Sequence, residues 1–232
     1  MSAYHTILTM LAVVAEHLGE DLLAKTAFVG GCTTGLLITD ALTREHLRAT
    51  DDVDVIVEVL GYGEYVKLQQ QLRERGFREV ATEDVICRWQ LGSIWVDVMP
   101  TNEQILGFSN CWYSAALATA TLKHINDRQQ IRVVTPVYFL ATKIEAFAGR
   151  GKGNFLDSRD MEDIISLIDG YDSLCDEVAD APADVKQAIA DAMQHYLCNT
   201  DFEYVVQSVA QDGRREKLLF ARIEQLAGQN GR

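Results

Sequence analysis

The chain has 232 residues, 48% hydrophobic and 24% charged, with 16 Gly and 3 Pro; this excludes a disordered, collagen-like or low-complexity chain and leaves enough material for a sizeable core. With 34 acidic against 21 basic residues the net charge is −13, which argues against a protein that coats DNA or RNA through phosphate contacts. Five cysteines without a CxxC pair and five histidines without metal-ligand spacing suggest neither a disulfide framework nor a zinc site. No apolar run reaches membrane-spanning length, so a soluble, cytoplasmic protein is expected, with neither membrane nor DNA as partner.

Tyr4, Ile7, Leu8, Leu11, Val14 and Leu18 recur at helical spacing and predict a helix over 4–18. Ala27-Phe28-Val29 reads as a short strand ended by Gly30-Gly31, with helix-like content over 32–38. Residues 52–59 alternate and are rich in Val, the strongest strand signal in the chain; 62–75 read as a helix stopped by Gly76. Strands are expected over 85–90 and 94–99 around a tight Leu91-Gly92-Ser93 turn, and a second hairpin over 118–125 and 130–134 around Asn126-Asp127. Pro136 suits the first turn of a helix to about residue 148, followed by a glycine-rich loop over 149–154. Residues 157–169, 172–179, 183–197, 201–211 and 213–227 then read as successive helices. The expected class is α+β: a mixed sheet with flanking helices over 1–135, then an α-helical subdomain over 136–232 that completes a cleft.

Asp52 and Asp54 share one side of their strand, with Val53, Val55 and Val57 on the other. Two neighbouring carboxylates repel each other unless a cation lies between them, and Mg²⁺ takes such oxygens together with substrate phosphates. An acidic strand start facing water is the plainer alternative. Upstream, the Gly30-Gly31 turn opens onto Cys32-Thr33-Thr34-Gly35, where backbone N–H groups can approach a phosphate; an ordinary tight β-to-α turn reads the same way. Downstream, Asp97 is a lone carboxylate in the apolar run Ile94-Trp95-Val96-Asp97-Val98-Met99, a position that demands a cation, donors or a raised pKa. Asp52, Asp54 and Asp97 are expected to converge beside the glycine turn as a two-metal phosphoryl-transfer site.

Lys143 lies among Phe139, Leu140, Ile144 and Phe147, so its ammonium either snorkels to water or needs an anion, with a triphosphate a natural one. Arg150 and Lys152, in the glycine loop, would close over that anion or belong to an ordinary loop that lacks P-loop spacing. Asp160 is placed to orient Lys143 or another basic group, while Asp163 favours its helix N-terminus. Residues 120–160 carry seven basic side chains against four acidic ones, an island of opposite sign in an acidic chain.

Taken in order, Gly30-Gly31, Arg48-x-Thr50-x-Asp52-Val53-Asp54, the lysine helix 138–146 and Ser158-Arg159-Asp160-Met161-Glu162-Asp163 resemble the motifs of the polymerase-β-like nucleotidyltransferases. Within these, the abortive-infection AbiEii/AbiGii toxin group is most similar, over residues 25 to 170. The resemblance implies transfer of a nucleoside monophosphate from an NTP to an acceptor hydroxyl, with pyrophosphate released. It implies two Mg²⁺ ions, or Mn²⁺, on Asp52, Asp54 and Asp97, and catalysis by these residues and Lys143. Nucleotide contacts would come from Gly30, Gly31, Thr33, Thr34, Arg48, Thr50, Lys143, Arg150, Lys152 and Asp160. The acceptor it implies is tRNA, in the toxin of a toxin–antitoxin or phage-defence pair with a cognate antitoxin. Gly31 stands where Ser is common in that motif, so a hydroxyl contact would have to come from Thr33 or Thr34. The alternatives are a small-molecule, antibiotic-type nucleotidyltransferase, a protein side chain as acceptor, a non-catalytic nucleotide-binding regulatory protein, and a DxD glycosyltransferase, which leaves the Gly-Gly turn unexplained.

Overall fold

The computed structural model describes residues 3–80, 87–150, 153–210 and 212–228. Its first elements in chain order are α1 (Ala3–Leu23), β1 (Thr26–Val29), α2 (Thr34–Leu37), α3 (Ala41–Glu45), β2 (Asp52–Val57), α4 (Tyr62–Glu74), β3 (Arg78–Glu79), β4 (Arg88–Leu91), β5 (Ile94–Pro100), α5 (Glu103–Leu106), α6 (Tyr113–Thr119), β6 (Thr121–His124) and β7 (Gln130–Val133). The helices α7 (Pro136–Arg150), α8 (Arg159–Gly170), α9 (Leu174–Ala179), α10 (Ala183–Leu197), α11 (Thr200–Val209) and α12 (Gly213–Leu226) follow. This is an α+β chain in two units: one of 1–36 and 47–135, the other of 37–46 and 136–232.

In the first unit the seven strands among the described residues join one mixed sheet in the order β3-β4-β5-β2-β1-β7-β6. The pairs β2/β5 and β1/β7 are parallel and the other neighbours antiparallel. The two-residue alternation of β2 and β5 sends Val53, Val55, Val96 and Val98 into the core and leaves the carboxylates on the opposite face. Helix α1 buries Ile7, Leu11, Val14, Leu18 and Leu22, three or four residues apart, and packs on β1, β2 and β7.

Several expected boundaries move. Residues 32–38 open with a single 3₁₀ turn, Gly31–Thr33, before α2. The second hairpin is shorter than its pattern because α6 claims residues 113–119; Asn126 Oδ1 still closes its turn, accepting from the Arg128 and Gln129 N–H groups at 2.9 Å. The start of the strand expected over 85–90 lies outside the described residues, and β4 is seen from Arg88. The short elements α3, α5 and β3 carry no pattern long enough to read from sequence.

In the second unit the helices interlock through stripes such as Val185, Ile189, Met193 and Tyr196 on α10 and Leu219, Ile223 and Leu226 on α12. Phe147, Phe155, Tyr196 and Phe202 form one aromatic cluster with ring centroids 4.9 to 5.8 Å apart. Residues 37–46 join this unit by docking on the end of α8, where the Gly170 carbonyl accepts from the Thr39 and Asp40 N–H groups at 2.9 and 3.0 Å. Only glycine permits that approach, since a Cβ on Gly170 would meet Ile38 Cγ2 at 2.7 Å. Arg215 of α12 then forks onto the buried Asp169 with both contacts at 2.7 Å, and reaches Asp40 at 3.1 Å. Backbone and side-chain hydrogen bonds from Thr43, helped by Arg215, hold the Asp40 carboxyl down at about 2. No helix among the described residues is long and apolar enough to cross a membrane.

Candidate active site

The parallel register of β2 and β5 places Asp54 beside Asp97 and Asp52 beside Trp95. Side chains paired in register project to the same face, and residues two apart on a strand do so too. Asp52, Asp54 and Asp97 therefore share one face of the sheet. Asp97 is buried, whereas Asp52 and Asp54 are half-buried. The Thr50 hydroxyl, itself buried, donates to Asp52 Oδ1 and fixes that carboxylate's orientation.

The turn after β1 presses against this face. Gly30 has φ 76° and ψ −173°, a backbone region that only glycine occupies without strain. A Cβ there would sit 1.9 Å from Asp54 Oδ2, so the absence of a side chain is what lets turn backbone and carboxylate touch. Thr33 is fully buried and its hydroxyl donates back to the Gly30 carbonyl at 2.9 Å, so in this structure it braces the turn instead of offering its proton to a ligand. Thr34 is buried beside it and Gly31 is half-buried. Arg48 lies half-buried before β2 and donates to the Ala49 carbonyl at 3.3 Å.

Arg88 is the residue that sequence reasoning overlooked. On β4 it pairs in register with Asp97, and its guanidinium grips that carboxylate at both oxygens, Nε to Oδ1 at 2.8 Å and NH2 to Oδ2 at 2.7 Å. The same nitrogen lies 3.7 Å from Asp52 Oδ2, and the group rests 5.8 Å from the centre of the Trp95 ring. Its hydrogen bonds to Asp97, then the charges of Asp97, Asp52 and Asp54, raise the Arg88 pKa further above an already high value. Neighbouring Cys87 has its thiol pushed up to about 12 by burial and by Asp97, which removes it as a nucleophile. Among the described residues no three carboxylate, histidine or cysteine groups form a ready metal cage. The three acids are gathered, and a guanidinium stands among them as the resident cation.

In the second unit the Lys143 ammonium, 8% exposed, sits 3.1 Å from Asp160 Oδ1 and 2.7 Å from Asp163 Oδ2. Asp163, expected only to favour the helix N-terminus, is thus a direct partner of the lysine, one turn along α8 from Asp160. Ser158 caps that helix, accepting from the Met161 N–H at 3.3 Å. Arg150 also forks onto Asp160 with two contacts of 2.8 Å. Burial works to raise the Asp160 pKa, but the Arg150 hydrogen bonds and the Lys143 charge outweigh it, and the carboxyl lies below its ordinary range. Lys152 lies outside the described residues.

The basic island spans both units. Lys123, Arg128 and Arg132 belong to the first and Lys143, Arg150 and Arg159 to the second. Arg132 donates to the Ala24 and Leu117 carbonyls, and Lys143 and Arg150 are held by carboxylates, so half of these six cations serve the fold. No protein-family model matches the chain and no curated protein matches it.

Proposed function

We propose that this chain is a nucleotidyltransferase of the polymerase-β-like type, moving a nucleoside monophosphate from an NTP to an acceptor hydroxyl. The observation that carries the reading is the Gly30 turn lying in contact with Asp54, with Asp52 and Asp97 on the same sheet face. A triphosphate needs backbone N–H groups and a cation at adjacent points, and few other ligands need both. The oxygen donors fit Mg²⁺: Asp52 and Asp54 would hold it, with Asp97 completing the set, and the ion supplies charge neutralisation for the phosphates. The chain's own residues do the positioning. Thr50 locks Asp52, the glycine turn presents backbone to phosphate, and Asp97 is the buried carboxylate suited to draw the acceptor proton.

For the acceptor, motif resemblance favours tRNA and the toxin role. One observation favours a small hydroxyl compound instead: Arg132, Lys143 and Arg150 are already engaged inside an acidic molecule, which leaves fewer cations for an RNA backbone. Incubation of the protein with each labelled NTP and Mg²⁺, in the presence of total tRNA or a metabolite pool, tests both. Label transferred in an Mg²⁺-dependent reaction and abolished in Asp54→Asn is the expected result. Steep loss of transfer between low and high salt would mark tRNA, whereas a flat response would mark a small acceptor. Transfer by Asp54→Asn at the wild-type rate would end the reading.

A further inference from the structure

Three acids on one sheet face repel one another, and the first unit resolves that repulsion with its own cation. Arg88 covers both oxygens of Asp97 and leans on Asp52, and its guanidinium carbon lies over the Trp95 ring, 5.8 Å from its centre. The pair is partly enclosed: the Asp97 side chain is 11% exposed and that of Arg88 26%. A forked guanidinium–carboxylate pair in such a place is strong and geometrically specific. A divalent ion taking Asp97 would meet a positive charge already seated on the same two oxygens.

We propose that Arg88 is a two-position residue: at rest it is the counter-ion of Asp97, and on arrival of a metal–triphosphate complex it yields Asp97 to the metal and transfers its fork to the phosphates. The inference rests on the nucleotidyltransferase reading and adds a residue to it. Charge is conserved in the exchange. Before it, guanidinium pairs with carboxylate and metal with phosphate; afterwards, metal pairs with carboxylate and guanidinium with phosphate. At rest Arg88 bridges Asp97 and Asp52 and occupies the place where a bare ion would bind. Trp95 gives the released group a surface to slide along, which a compact ammonium would use less well.

This arrangement makes metal and nucleotide respond in opposite directions when Arg88 is removed, which a purely structural arginine would not produce. Mn²⁺ binding to the full chain, followed without nucleotide by the loss of the free-ion spin-resonance signal, should tighten at least tenfold in Arg88→Gln. Binding of Mg²⁺–NTP to the same variant, measured by calorimetry, should weaken at least tenfold. In wild-type protein Mg²⁺–NTP should change the tryptophan emission, and Trp95→Phe should abolish most of that change; this arm needs no Arg88 variant to fold. Unchanged or weaker Mn²⁺ binding in Arg88→Gln, or a Trp95 signal indifferent to Mg²⁺–NTP, would overturn the exchange. Absence of transfer with every NTP alongside a tenfold Mn²⁺ response would instead sink the transferase reading and leave Arg88 as a guard of the metal site.

Discussion

At the scale of single residues, burial and partners decide what a substitution costs. Gly30→Ala places a methyl in a backbone region costing about 1–3 kcal/mol and drives it into Asp54. We expect urea unfolding to shift by at least that much and transfer to vanish; a variant of wild-type stability would mean that the turn does not press on Asp54. Asp160 offers a sharper contrast, because two cations share it. Lys143 is buried and also serves Asp163, so Lys143→Ala strands buried charge and should cost about 3–5 kcal/mol. The Arg150 side chain is 73% exposed, so Arg150→Ala should cost about 0–1 kcal/mol despite its two shorter contacts. Equal urea midpoints for the two variants would refute the assignment of Lys143 as the inner partner. Asp52, Asp54 and Asp97 were legible in the sequence because carboxylates stand out at period two in an apolar run. Asp163 is not legible in the same way, because its helix-end position already accounts for an acid and its lysine partner lies on the preceding helix.

At the scale of elements, the hairpin between β4 and β5 held more than was read from it. Leu91 pairs with Ile94 across Gly92-Ser93, and counting back three positions sets Arg88 opposite Asp97. The turn expected from sequence counts Leu91 into the loop and sets Arg88 opposite Val96; the shorter Gly92-Ser93 turn moves the register by one and brings Arg88 to Asp97. Helix α3 is the opposite case. It spans five residues, and its partners Asp169 and Arg215 lie 126 to 172 residues away from Thr43, so no local pattern announces it. The cap of this helix carries a pH dependence of definite sign, chiefly through the hydrogen bonds that Thr43 gives to Asp40. The Asp40 carboxyl titrates near 2 when folded against an ordinary 3.8, so the unfolded chain binds the proton more readily. Its stabilisation is complete above the unfolded value and drains away as pH falls from about 4 towards 2. Urea unfolding followed from pH 6 to pH 2 should fall less steeply in Asp40→Asn, and parallel curves for the two proteins would contradict the assignment.

At the scale of the whole chain, the acidic balance read from composition persists, and the basic island dissolves on inspection into cations with separate duties. The broad division into strand-bearing and helical halves was visible because hydrophobic period changes after Thr135. The crossing of residues 37–46 was not, since it depends on a glycine at the end of α8 and an arginine near the C-terminus. That crossing ties the order of synthesis to the order of folding. When Thr135 has left the ribosome every described strand has been delivered, yet residues 37–46 must stay idle until Gly170 and Arg215 emerge. The docking of this segment therefore waits on partners made long after it, and a chain truncated after the sheet would leave it without them.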